Sequence, residues 1–199
     1  MDKPAAEQTI GFETEGVRQA EPPEPCIIVI FGVTGDLAHR ELVPSLFALY
    51  CIGLLPDRVG IIGFARRDWS DDYLRERMKK AVQKWRCFNE ERWKAFSSRL
   101  FYVRGNFNDA PKEGYADLKK RIEAVRESFS IPDNVLYHLS TPPGAYTDII
   151  ARLEPAGLRG STSGYRRLII EKPFGHDGES ARELDDQLRQ VFSEKQIYR

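Results

Sequence analysis

The chain has 199 residues, with 30 Lys+Arg against 30 Asp+Glu, so no net field exists to hold nucleic acid or an anionic membrane surface. Hydrophobic residues make up 41%, which supplies a core and excludes a disordered composition, and no apolar run reaches the roughly 20 residues that span a bilayer. Cys26, Cys51 and Cys87 fit neither a zinc site nor a disulfide framework; with no signal sequence in front, they are expected to be ordinary thiols in a reducing, cytoplasmic setting.

Residues 1–25 mix the acids Asp2, Glu7, Glu13, Glu15, Glu21 and Glu24 with Pro22, Pro23 and Pro25 and show no sustained periodicity. They read as a disordered lead-in, with a partner-binding tail as the alternative. From Cys26 onward, apolar runs at 27–31, 59–64, 100–103, 135–139 and 168–170 predict strands buried on both faces. Helical spacing separates them. One stripe is Leu74, Met78, Ala81, Val82 and Trp85; a second is Tyr115, Leu118, Ile122, Val125 and Phe129. Tyr146, Ile149, Ile150 and Leu153 form a third, and Ala181, Leu184, Leu188 and Val191 a fourth, with Asp177 as its N-cap. The alternation predicts an α/β domain over 26–199: a doubly wound, Rossmann-type parallel sheet with helices on both faces. Ligands of such sheets bind along the C-terminal strand edge, where strand order reverses.

The chemistry should therefore follow each strand. After the first come Gly32, Val33, Thr34, Gly35, Asp36, Leu37 and Ala38, a turn opening a helix near Asp36 that Pro44 kinks or restarts. Glycines bring the backbone close to a ligand, and the helix start favours phosphate, although the spacing is not G-x-G-x-x-G and a plain βα turn would look the same. After the second strand stand Arg66 and Arg67, where an NAD-binding fold usually has an acid on the adenosine ribose. A guanidinium here suits the 2′-phosphate of NADP, Arg66 being the stronger candidate and Arg67 equally well a solvated basic turn.

The fourth strand stops at Ser140-Thr141-Pro142-Pro143, and a helix follows in which Tyr146 reads, by position alone, as core. The fifth ends in Glu171-Lys172-Pro173, which sets a lysine on the rim beside a polar or phosphorylated substrate. His138 lies inside a strand and reads as a satisfied core residue, and His39 and His176 as surface. No metal spacing and no general base can be assembled.

Taken together, "IFGVTGDLA", "GFARR", "LSTPPGAY", "LIIEKPFGHD" and "QIYR" resemble, in that order, the glucose-6-phosphate dehydrogenase family, from Cys26 to Arg199. The resemblance implies oxidation of glucose 6-phosphate to 6-phosphogluconolactone with hydride passing to NADP. It implies that Gly32 through His39 carry the dinucleotide, that Arg66 meets the 2′-phosphate, that Tyr146 sits against the cofactor and that Lys172 reaches cofactor and sugar. One departure is His39-Arg40-Glu41, where the family usually has a basic run. In the family, "QIYR" leads into an "IDHYLGK" segment that binds the substrate phosphate. A β+α domain follows, with the catalytic His base and the oligomer interface. The expectation is thus a coenzyme-binding portion that binds NADP without turnover, oligomeric only with that further domain. A stand-alone NADP(H)-binding or regulatory module is the alternative.

Overall fold

All five apolar runs form strands, and a sixth joins them at the end of the chain. The structure, a computed structural model, describes residues 21–110, 113–161, 163–172 and 178–199. Residues 1–20, which hold most of the expected lead-in, lie outside that set, as do Pro173, His176 and the Asp177 cap; residues 21–25 carry no regular structure.

The strands are β1 (Cys26–Phe31), β2 (Val59–Ala65), β3 (Leu100–Arg104), β4 (Val135–Leu139), β5 (Arg166–Ile170) and β6 (Ile197–Tyr198). They pair in parallel in the order β3-β2-β1-β4-β5-β6. The chain winds outward one way from β1 to β3, then crosses back and winds the other way from β4. Right-handed crossovers then put the helices of the two halves on opposite faces. Residues of α1 (Val43–Cys51), α2 (Asp71–Val82) and α3 (Glu90–Ser97) share a core with Ile28, Ile30 and Ile61. Those of α4 (Gly114–Phe129), α5 (Tyr146–Leu153) and α6 (Gly178–Val191) share the other with Ile27, Val29, Phe31 and Phe64. The alternate residues of one strand thus face two cores, which is why the strands read as unbroken apolar runs.

Most stripes bury as read, but α2 stops at Val82, leaving Trp85 beyond its end. Pro44 stands in the first turn of α1, so the helix restarts there as read. The proline has no N–H to donate to Arg40, and the chain absorbs the loss in a widened turn over Ala38–Leu42, where the Val43 N–H donates to the Ala38 carbonyl. Helix α3 went unanticipated, although Asn89 caps it by accepting the Arg92 N–H at 2.7 Å and Trp93 and Phe96 bury its apolar side.

At the N-terminal edge of the sheet, Arg166 is only 7% exposed and donates to Asp133 Oδ1 at 2.7 Å. Arg126 reaches the same oxygen at 3.1 Å and the Ser161 hydroxyl donates to Oδ2 at 2.6 Å. The desolvation of Asp133 opposes its charge, but these donors and cations outweigh it and hold the carboxyl below its ordinary range. This edge is structural. The opposite edge carries the candidate site.

Candidate functional site

The turn after β1 is built against the ends of both neighbouring strands. The Gly32 N–H donates to the Phe64 carbonyl of β2 at 2.8 Å, and the Ser140 N–H after β4 donates to the Phe31 carbonyl at 3.0 Å. Gly32 has φ +83°, and a Cβ on it would stand 2.3 Å from the Ser140 carbonyl oxygen and 2.8 Å from Thr141 Cγ2. Only glycine fits both the conformation and the space. The Gly35 N–H closes the turn onto the Gly32 carbonyl at 2.8 Å, and the helix opens at Asp36, so its first N–H groups lack intrahelical partners.

Within this turn the side chains divide. Val33 and Ala38 are buried in the core, Val33 filling the space that a Cβ on Gly63 would need at 2.4 Å from Val33 Cγ1. They offer a ligand backbone only. Gly35 and Asp36 are exposed, Thr34 and Leu37 half-buried, and Asp36 pairs with Arg40 at 2.7 Å in solvent. His39 is not the loose surface residue anticipated: it is half-buried, its Nε2 3.2 Å from the Arg77 carbonyl of α2. Beneath the turn, Phe31 and Phe64 meet edge to face with centroids 5.3 Å apart, and Tyr115 packs 5.2 Å from Phe64. Such aromatic contacts add about 1 kcal/mol each beyond burial and give the turn a stiff floor.

At the end of β2 the two arginines separate. Arg66 is exposed and makes no hydrogen bond or ion pair among the described residues. Arg67 instead lies over the Trp69 ring at 5.7 Å. The Tyr102 hydroxyl of β3 stands 2.8 Å from the Ala65 carbonyl and 2.6 Å from that of Arg67, so one donor holds the backbone on either side of Arg66. Burial pushes the Tyr102 phenol up to about 12, and the group stays a donor at every physiological pH. The sequence reading missed Tyr102; its one signal was a polar-tipped aromatic in the third strand.

Across the switch point, Tyr146 is the core residue that its position alone implies. Its ring is 1% exposed within the core, while its hydroxyl donates to the Glu171 carbonyl at 3.3 Å, at the rim. Lys172 follows, exposed. His138 departs from the satisfied core residue expected of it. It is 5% exposed, and Nε2 lies 3.2 Å from Glu171 Oε1, but Nδ1 is buried with no partner among the described residues. Burial pulls the imidazole below its usual pKa and the Glu171 charge pulls it partly back. Ser140 Oγ and Thr141 Oγ1 are likewise buried and unpartnered among the described residues. The C-terminal edge between β1 and β4 thus presents a glycine cradle, a helix start and orphaned polar atoms, which fits a phosphate-bearing dinucleotide. No cluster able to hold a metal ion occurs among the described residues, and no helix there is long and apolar enough to cross a membrane.

A family model described as glucose-6-phosphate dehydrogenase, NAD binding domain, matches residues 29–199. Glucose-6-phosphate 1-dehydrogenase of Aggregatibacter actinomycetemcomitans is 41% identical over 176 residues, which cover 88% of this chain and 35% of that relative. The protein of the same name from Bacillus subtilis (strain 168) is 35% identical over 173 residues, covering 87% and 34%. A solved structure of glucose-6-phosphate dehydrogenase in complex with its substrate glucose-6-phosphate superposes with a TM-score of 0.80 at 35% identity, over 90% of this chain and 37% of that one. The crystal structure of glucose-6-phosphate 1-dehydrogenase from Mycobacterium avium gives 0.73 at 34% identity, over 88% and 36%. The chain spans little more than a third of the length of the proteins that it matches.

Proposed function

The chain belongs to the glucose-6-phosphate dehydrogenase family through its NAD-binding domain, and from that premise we propose that it is the NADP-binding portion of an enzyme that oxidises glucose 6-phosphate to 6-phosphogluconolactone. The bound nicotinamide would supply the hydride acceptor. The segment from Gly32 to His39 cradles the pyrophosphate with the N–H groups that its turn leaves unpaired, those of Gly32, Gly35 and His39 being engaged by the carbonyls of Phe64, Gly32 and Gly35, and the thin Gly32 lets it approach. Arg66 takes the 2′-phosphate. Tyr146 would sit against the cofactor, and the Lys172 ammonium would donate to both cofactor and sugar and offset charge developing at the reacting centre.

The observation that carries this reading is Arg66: an exposed guanidinium at the C-terminal end of β2, unengaged among the described residues, on a backbone braced by Tyr102. That position belongs to an acid when NAD is preferred. Each charge-assisted bond to a phosphate is worth about 1.5–3 kcal/mol, or roughly ten- to a hundredfold in affinity.

Removing hydride from an alcohol also requires a base to take the hydroxyl proton. Among the described residues, His39 is turned to Arg77 and His138 to Glu171, so neither is assigned as that base, and the reading has this portion bind without turning over. The three free thiols accord with a reducing, cytoplasmic setting. The test is to add glucose 6-phosphate and NADP to the purified chain, following NADPH absorbance and, separately, dinucleotide binding. Saturable binding without NADPH formation is expected. Sustained NADPH production, or no dinucleotide binding at all, would overturn the reading.

A further inference from the structure

We propose that His138 is a positioning residue for Lys172: its imidazole holds the Glu171 carboxylate and thereby fixes the peptide from which Lys172 enters the crevice. This rests on the reading that Lys172 meets the dinucleotide and the sugar phosphate.

The β4–β5 ladder ends at the pair Leu139 and Ile170, so Glu171 and Lys172 leave the sheet with no strand partner to hold them. Two side chains replace the ladder. Tyr146, from α5, donates its hydroxyl to the Glu171 carbonyl at 3.3 Å. His138, from β4, reaches Glu171 Oε1 at 3.2 Å. Both anchors are set in the core, at 1% and 5% exposure, so neither moves without disturbing the sheet. The Glu171 side chain is itself 43% exposed and would turn freely into water if released.

The other half of the imidazole argues the same way. Donation from Nε2–H leaves Nδ1 as a bare acceptor, buried and unpartnered among the described residues. An apolar ring of the same volume would fill the position without that desolvation cost. His138 is therefore a poor core residue and a good tether, and the rim is where its use lies.

The experiment compares His138→Phe, His138→Gln, Glu171→Ala and the double variant H138F/E171A in the 199-residue chain. Two quantities are read: NADPH affinity by titration, and backbone order of the Lys172 amide by nitrogen-15 relaxation without dinucleotide. The Phe variant keeps the volume and is expected to weaken NADPH binding about fivefold, the worth of one ordinary hydrogen bond, while Lys172 becomes mobile. The Gln variant can donate an amide N–H to the same carboxylate and should recover to within about twofold. Glu171→Ala, at an exposed side chain that folding does not need, should match the Phe variant, and the double variant should lose no more than either single one. An ordered Lys172 in the Phe variant, equal effects of Phe and Gln, or additive losses would overturn the proposal. If the native chain binds no NADPH, the cofactor reading fails while the relaxation comparison still decides whether His138 holds Lys172.

Discussion

Gly32 and Ser140 meet backbone to backbone where the strand order reverses: a Cβ on Gly32 would stand 2.3 Å from the Ser140 carbonyl oxygen. The φ of +83° at Gly32 adds a conformational requirement to the steric one. Gly32→Ala must therefore push the turn away from β4. The expected outcome is a loss of about 1–3 kcal/mol in stability, together with at least tenfold weaker NADPH binding. Denaturant unfolding and titration of the same variant measure the two effects. An alanine variant that binds as the native chain does would show that the cradle is not used.

Tyr102→Phe removes one hydroxyl and leaves the ring in the core. The carbonyls of Ala65 and Arg67 lose their shared donor, at 2.8 and 2.6 Å, and the backbone around Arg66 loosens. Stability should fall by about 1 kcal/mol. The preference for NADPH over NADH should shrink severalfold, while NADH affinity stays constant. A uniform loss for both dinucleotides would mean that Tyr102 acts on the fold and not on Arg66.

These two residues also mark how far the sequence could be read. Apolar runs and helical stripes located the sheet and most helices because a doubly covered strand has almost no polar positions to obscure it. Strand β6 escaped, since its two residues show no period and its pairing of Leu168 with Ile197 is purely tertiary. Helix α3 escaped although Asn89, Glu90 and Glu91 form a legible start. At the site, spacing brought Gly32, Arg66 and Lys172 to one edge, because strand ends are countable. It favoured Arg66 over Arg67 by its place nearer the strand, but it could not show the stacking partner of Arg67, Trp69, which is set by the turn's path. Nor could it find Tyr102 or His138, which act through contacts between strands.

Asp133 gives a prediction at the opposite edge. Asp133→Ala strands the nearly buried Arg166 and removes the partner of Arg126. Breaking such a pair from one side costs about 3 kcal/mol, which lowers the melting temperature of a chain this size by roughly 6–12 °C. NADPH affinity of the folded variant should be unchanged. A drop in affinity without a drop in melting temperature would contradict the structural assignment of this edge.

His138 sets a pH dependence whose sign follows from its burial. The folded imidazole resists protonation, whereas in the unfolded chain it takes a proton at its ordinary value of 6.5. Below that pH the unfolded state binds more protons, so stability declines as pH falls and levels off only once the folded imidazole also titrates. Above it both states are neutral and His138 contributes no slope. Asp133, held below its ordinary 3.8, adds a second loss only in stronger acid. Melting temperatures across this range should fall through the upper window in the native chain and stay flatter there in His138→Phe. Equal slopes would remove His138 as the cause.

The most direct measurement is calorimetric titration of the purified chain and of its Arg66→Ala variant with NADPH and with NADH. Tighter binding of NADPH by the native chain is expected, with that advantage lost in the variant by roughly ten- to a hundredfold and NADH binding left as it was. Equal affinities of the native chain for the two dinucleotides would contradict the assignment of Arg66 to the 2′-phosphate, and no binding of either would contradict the site itself.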